Sequence, residues 1–237
     1  MNQANVPESK ENFEFAALCE ARNYRAALLR DFSPYLRGTV LEVGAGIGPF
    51  TAELAKLPQI QRLVSVEPNP DFCAELLSRL PRQELVHGIV DDLDIQARWD
   101  AIFSVNVLEH IESDREELRK YFQILQPAQG ALCLFVPERP EIYAPIDKDF
   151  GHFRRYTRQE LKTKLENAGF HFVPIRYFNF AGYFLWWFAF CLLKKRSFAI
   201  ASVRLLDRAV FPAIHRCETK LLPPPIGQSL FAVAIAR

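Results

Sequence analysis

The sequence predicts an α/β fold: a three-layer α/β/α sandwich on a seven-stranded, mostly parallel sheet, with an apolar helical insertion between the last two strands. Three observations carry that expectation. Short apolar runs rich in β-branched residues alternate with stretches of helical periodicity through most of the chain. A glycine-rich turn, "VLEVGAGIGPF" at 40 to 50, directly follows the first of those runs. From about residue 170 the alternation stops, and "YFNFAGYFLWWFAFCLLKKR" at 177 to 196 takes its place.

Each element follows in order. The opening "MNQANVPESKENFEF" is polar and acidic where an export signal would be basic and then apolar, so no export is expected. "CEARNYRAALLRDFSPYL" reads as an amphipathic helix. Strands are expected at 39 to 43, 63 to 67, 84 to 87, 100 to 105, 131 to 136, 171 to 177 and 230 to 236. Pro49 suits the first turn of a helix over "PFTAELAKL". "NPDFCAELLSRLP" aligns Phe72, Leu76, Leu77 and Leu80, and "SDREELRKYFQIL" aligns Leu118, Tyr121, Phe122 and Leu125, each as a core-facing stripe. Thr157 and Glu160 have the spacing of a capping box that starts "RQELKTKLENAGF", and Gly169 ends it. Pro223 to Pro225 form a stiff lead into the last strand.

With 237 residues, 49% of them hydrophobic, the chain can bury one sizeable core. Lysine and arginine total 29 against 28 acids, a net charge of +1 spread evenly, which offers no landing face to a polyanion such as nucleic acid. A small molecule is the expected partner. Cys19, Cys73, Cys133, Cys191 and Cys217 include no C-x-x-C pair, so free thiols in a reducing cytoplasm are expected rather than disulfides or a zinc site.

Gly44, Gly46 and Gly48 stand between a strand and a predicted helix start, where missing side chains let a ligand approach backbone amides. The nicotinamide fingerprint G-x-G-x-x-G would need glycine at 49, which is proline. The spacing is instead E-x-G-x-G-x-G, with Glu42 two residues before Gly44. This resembles motif I of the Rossmann-like class I S-adenosylmethionine-dependent methyltransferases, and the acids that follow fit the same family. Glu67 ends the second strand 19 residues after Gly48, where a carboxylate can accept from both ribose hydroxyls. Asp91 and Asp92 follow the third strand, where the family places an acid near the adenine amino group. Ile89 stands at the family's first acidic position, so which of the pair serves is open. The resemblance implies S-adenosylmethionine as cofactor, held by Tyr24, Glu42, Gly44, Ala45, Gly46, Gly48, Glu67, Pro68, Asp91, Asp92 and Asn106. For Tyr24, packing in the core is the alternative. The cofactor's chemistry agrees, because it carries a sulfonium and an ammonium but no phosphate, and the acids at 42 and 67 would repel a pyrophosphate.

"WDAIFSVNVLEHIES" resembles the family's fourth motif, and ligands of open α/β sheets bind at strand carboxyl ends. His110 is a candidate base because imidazole titrates near neutrality, unless Glu109 and His110 only cap and orient the loop. Glu109, His110 and His152 are metal-ligand types, but paired histidines at i and i+4 are missing and no metal is expected. "DKDFGHFRRYTRQEL" at 147 to 161 holds a G-H-x-R-R-Y stretch similar to one in a bacterial subset of these small-molecule methyltransferases. It offers His152 and Tyr156 as catalytic or orienting groups, and Arg154 and Arg155 for an anionic part of the acceptor. The alternative is a basic turn tied to Asp147 or Asp149.

The family's basic fold joins its last two strands by a short hairpin, whereas about 50 residues intervene here. From Tyr177 to Leu193 the apolar run is 17 residues, broken by Asn179 and Gly182, at the lower limit for crossing a bilayer, and is not read as transmembrane. Its aromatic residues, with Tyr183 as a candidate substrate contact, precede Lys194, Lys195 and Arg196. Such a segment must be covered by the protein's own core, a second copy of the chain, a lipid-like acceptor or a membrane surface.

The reading is one methyltransferase domain over 1–237: a helical lid over 1–37, a cofactor-binding core over 38–177, the apolar insertion over 178–228 and a last strand over 229–237. It is expected in the cytoplasm, with peripheral membrane contact or a homodimer through 177–196 as alternatives. The expected reaction is methyl transfer to an oxygen of an amphiphilic or aromatic small molecule. Its rivals are an NAD(P)-dependent oxidoreductase, disfavoured by Pro49, and a non-catalytic adenosyl-binding module at a membrane.

Overall fold

The strands Gly38–Val43 (β1), Ile60–Glu67 (β2), Glu84–His87 (β3), Ala101–Val105 (β4), Ala131–Pro137 (β5), Ile175–Phe178 (β6) and Ser229–Ile235 (β7) form one sheet in the order β3-β2-β1-β4-β5-β7-β6. This is a computed structural model that describes residues 18–93, 97–171, 173–197, 199–220 and 223–237. β1 to β5 pair in parallel, and β7 runs antiparallel between β5 and β6. β4 and β5 are buried along their whole length, which is why their sequences are continuous apolar runs rather than alternating ones. Successive strands step from β1 toward one edge and from β4 toward the other. The carboxyl ends of these two neighbours therefore flank a crevice at the switch of direction.

The helices are Arg22–Phe32 (α1), Thr51–Leu54 (α2), Pro70–Arg79 (α3), Asp114–Leu125 (α4), Pro145–Asp149 (α5), Arg158–Ala168 (α6), Phe180–Trp186 (α7), Ile200–Ala209 (α8) and Phe211–Lys220 (α9). On one face of the sheet α4 and α6 bury Leu118, Tyr121, Leu125, Leu161 and Leu165 against Leu41, Ile102, Leu132 and Leu134. On the other face α1 buries Leu28 and Phe32 against Val40, Phe103 and Phe135, with the Phe32 ring stacked on Phe231 at 3.9 Å. These are the two outer layers that the helical stripes predict.

Several expectations need correction. β6 begins at Ile175 rather than 171, because Pro174 has no N–H for the ladder; only an isolated bridge joins His171 to Ile235. α2 is a single turn that starts after Pro49. Leu77 is 39% exposed, since Phe72, Cys73 and Leu76 already fill the buried stripe of α3. Thr157 Oγ1 accepts the Glu160 N–H at 3.1 Å, but the Glu160 carboxylate turns to Lys164 instead of closing the box. α1 packs on the sheet through Leu28 and Phe32; among the described residues of the expected lid only Leu18 reaches the crevice, and 1–17 lie outside the described residues.

Two acids of the insertion cap helices far away in sequence, and the first of them ties it to the core. Asp207 accepts the N–H groups of Asn23 and Tyr24 at 2.9 Å, at the start of α1, and Glu218 accepts those of Asn179 and Phe180 at the start of α7. α7 continues into a π-helical turn, Trp187–Leu192. One flank of this segment is buried, with Trp186, Phe190 and Cys191 against Ala144, Ile146 and Phe150. The other exposes Phe184, Leu185, Trp187, Phe188, Leu192 and Leu193, so the run is not covered on all sides. Among the described residues no helix is long and apolar enough to cross a membrane.

Candidate active site

Three strand ends build the crevice. Gly44 and Ala45 line it after β1, Glu67, Pro68 and Asn69 after β2, and Asn106, Val107 and His110 after β4; Glu42 reaches it from within β1. Phe50, Phe72, Phe103 and Phe150 supply an apolar wall. The volume, about 250 Å³, suits a ligand rather than a few waters.

Glycine at 44 is required on two counts. Its φ is +73°, and a Cβ there would lie 2.4 Å from Cγ2 of Val107. Four amides of the turn are engaged within the protein. Gly44 and Ala45 donate to the Val66 carbonyl at 2.9 and 3.1 Å, Gly46 donates to Glu67 Oε2 at 2.8 Å, and Gly48 donates to the Ala45 carbonyl at 3.0 Å. The expectation that a ligand docks on these N–H groups is therefore corrected: Gly46 and Gly48 shape the bend but do not line the crevice. A bend whose amides are already engaged, followed by a single helical turn, makes a poor phosphate cradle.

Behind the bend, Glu42 is held by neutral hydroxyl donors. Glu42 is 2% exposed, and its Oε2 accepts from Thr51 Oγ1 at 2.7 Å and from Ser65 Oγ at 2.8 Å, Ser65 being its register partner on β2. Burial outweighs those bonds and lifts the Glu42 carboxyl to about 7, with a contribution from the nearby Glu67. Glu67 accepts the Gly46 N–H on Oε2 and the Asn69 N–H on Oε1, the latter at 2.9 Å, which orients both oxygens at the crevice wall. Among the described residues no lysine or arginine pairs with Glu42, so a cationic ligand complements it. Asn106 ends β4 in a left-handed conformation, φ +53°, that asparagine tolerates. Burial and the adjacent His152 ring push the His110 imidazole down to about 4, so it is neutral at physiological pH.

The other sequence candidates do not line the crevice, each for a physical reason. A 3-10 turn at Val90–Asp92 turns both aspartates outward: Asp91 meets Lys120 at 2.5 Å and Asp92 accepts the Ile89 N–H at 2.9 Å. Tyr24 is packed, with ring centroids 5.3 Å from those of Phe178 and Phe211. The Tyr156 hydroxyl is locked between the Leu108 carbonyl at 3.2 Å and Asp114 Oδ2 at 3.0 Å, and burial holds the phenol far above its ordinary range. His152 Nδ1 lies 3.1 Å from Asp147 Oδ1, and Arg155 Nε donates to the same oxygen at 2.8 Å while its guanidinium stacks on Trp186. Arg154 spans the carbonyls of Ile111 and Glu112 and pairs with Asp114 at 2.8 Å. Tyr183 lies beside Arg139. In this geometry the buried acids Asp114 and Asp147 of the same chain take up Tyr156, Arg154 and Arg155, while Tyr183 does not line the crevice. The basic-turn alternative thus holds with Asp147 as an anchor, while Asp149 pairs with Arg196 instead.

Glu109, His110 and His152 do come together, their ligand atoms within 4.8 Å of one another. The missing i, i+4 spacing is no obstacle, since they come from two segments. Among the residues that the sequence reading missed, Asn69 carried a signal: it follows Glu67, precedes Pro70 and caps α3 through the Asp71 N–H at 2.9 Å. Phe150 carried none, for it reaches the crevice only through the placement of α5.

Fold and crevice define a class I methyltransferase, an enzyme that takes its methyl group from S-adenosylmethionine. The family described as "Methyltransferase domain" matches residues 13–175, and the chain belongs to that family. It is similar in fold to a SAM dependent methyltransferase from Archaeoglobus fulgidus, with 18% identity over 99% of this chain and 100% of the other, TM-score 0.58. Phosphoethanolamine N-methyltransferase 2 of Haemonchus contortus, solved with S-adenosyl-L-methionine, aligns over 99% of this chain and 60% of its own at 12% identity, TM-score 0.62. A S-adenosylmethionine-dependent methyltransferase from Clostridium acetobutylicum aligns over 90% and 91% at 10% identity, TM-score 0.56. Curated proteins gave no match. Neither the oxidoreductase nor the non-catalytic module finds support among these relatives.

Proposed function

We propose that the chain methylates an oxygen of an amphiphilic or aromatic small molecule, as a member of the subset with the G-H-x-R-R-Y stretch. Glu42, Gly44, Ala45, Glu67, Pro68 and Asn106 hold the donor in this reading. The observation that carries it is the pairing of engaged turn amides with two buried carboxylates, which disfavours phosphate and favours a sulfonium nucleoside. S-adenosylmethionine, when bound, supplies a methyl carbon activated by its sulfonium. His110, neutral on the crevice wall, accepts the hydrogen bond of the acceptor hydroxyl. It takes the proton as the new C–O bond forms, when the oxygen becomes acidic enough for so weak a base. Positioning and exclusion of water by the phenylalanine wall supply most of the acceleration.

The acceptor's amphiphilic character is supported by the open aromatic flank of α7 and the π turn, where exposed Trp187 and Phe188 precede Lys194 and Lys195 in the chain. The same flank supports peripheral contact with a lipid surface. Labelled methyl donor supplied to the purified protein with a fractionated extract tests the reading. Label is expected in an organic-soluble ether or ester, with formation of S-adenosylhomocysteine. Label in N-methyl groups, or in protein or nucleic acid, overturns the acceptor class.

A further inference from the structure

Two segments that the sequence keeps apart bring a carboxylate and two imidazoles to one point. Glu109 and His110 lie in the 3-10 turn Leu108–His110 after β4, and His152 lies in the loop before α6. A backbone bond joins the segments, Phe153 N–H donating to the Glu109 carbonyl at 2.8 Å, and the Tyr143 hydroxyl fixes the His152 carbonyl at 2.7 Å. The two histidine rings meet edge to face with centroids 4.6 Å apart, and one ligand atom from each of the three residues falls within a span of 4.8 Å.

The geometry points to a site for one divalent cation of the zinc class, ligated by the Glu109 carboxylate and by the His110 and His152 rings. The donor set selects the metal. Two nitrogens and one oxygen suit zinc, cobalt or iron(II), whereas magnesium and calcium prefer oxygen alone. A second observation points the same way. His152 places Nδ1 on Asp147 Oδ1 at 3.1 Å, and Asp147 is itself fixed by Arg155 and by the Ala144 N–H at 2.8 Å. An outer carboxylate of this kind sets the tautomer of a ligating histidine and leaves Nε2 as its donor atom. The buried Asp147–Arg155 pair then orients a ligand instead of serving the scaffold alone.

His110 also lines the crevice, so the cation belongs at its wall. Three protein ligands leave a further coordination position, which suits an acceptor hydroxyl made more acidic by the metal. With the cation bound, His110 is a ligand in place of the base named above, and the hydroxyl proton leaves to solvent. This consequence rests on the methyl-transfer reading above; the cation site itself does not.

Cobalt(II) titrated into the purified full chain tests the site without reference to activity. About one equivalent is expected to bind with the visible d–d bands of a low-coordinate nitrogen and oxygen site, and zinc is expected to displace it. His152→Ala and Glu109→Gln are each expected to weaken cobalt binding by at least about tenfold while the variant keeps a cooperative thermal transition. If His152→Ala fails to fold, Glu109→Gln decides alone. Absence of the bands, thiolate-to-cobalt charge transfer from one of the cysteines, or unchanged affinity in a folded variant overturns the proposal. Failure of S-adenosylmethionine to bind in calorimetry would break the donor reading and leave the cobalt result standing.

Discussion

The carboxyl ends of this sheet hold two kinds of buried acid. At the crevice, Glu42 and Glu67 are held by hydroxyls and backbone amides. Beyond β4, Asp147 is held by Arg155, and Asp114 by Lys164 and Arg154 at 2.5 and 2.8 Å. The Glu42 carboxyl accordingly rises to about 7. Burial pushes Asp147 and Asp114 up as well, yet bonds from His152 and Arg155, and from Lys164 and Arg154, keep both below their ordinary value. An acid matched by an internal cation belongs to the scaffold, whereas one matched only by neutral groups lacks positive charge nearby. For Glu42, that contrast is the feature on which the proposed donor site draws.

Removing Asp147 breaks the contrast most severely. Asp147→Ala strands the buried Arg155 guanidinium and is expected to cost about 3–5 kcal/mol in urea unfolding, with donor affinity in the folded fraction unchanged. A loss near zero would mean that Arg155 finds another acceptor. Next in size is a pH effect at Glu42. Its carboxyl holds the proton more tightly folded, near 7, than unfolded, near 4.5, so the extra stability is fully present below pH 4.5 and is lost as pH rises through 7, by at most about 3 kcal/mol. Glu42→Gln should flatten that decline and stabilise the ligand-free protein above pH 7, while weakening S-adenosylmethionine; a decline of unchanged depth would sink the assignment.

Glu67→Ala sharpens the contrast from the ligand side. It is expected to weaken S-adenosylmethionine by about 2 kcal/mol, roughly thirtyfold, in calorimetry through lost charge-assisted hydrogen bonds. Unchanged affinity in a folded variant would contradict the ribose role. The smallest effect belongs to Thr157→Ala, which removes the cap of α6 for about 1 kcal/mol of stability and should leave donor affinity untouched. Coupling to the donor there would show that the scaffold acids and the crevice are not independent.

The placement of Glu42, Gly44 and Glu67 around one crevice was legible in the chain. Each lies near a strand end or in the bend after it, so local spacing places them. Asp91 and Asp92 misled because spacing put them after β3 but could not say that a 3-10 turn would point them at Lys120 and the Ile89 amide. The stretch from His152 to Tyr156 was legible in part. The tie of Arg155 to Asp147, eight residues away, was one of the two readings left open, whereas Asp114, the partner of Arg154, becomes a neighbour only on folding.

From one-dimensional order alone come the alternation of strand and helix, the bend with its flanking acids and the break in pattern near 177, since periodicity and positive φ are properties of short segments. Three-dimensional packing alone decided which amides of the bend were already engaged and which arginines were consumed. It also decided that Asp207 and Glu218 cap helices remote in sequence, and that Glu109, His110 and His152 meet. The reason is physical: a charge's role depends on what lies within hydrogen-bonding distance and on how much water remains. Neither quantity exists until the chain has closed on itself.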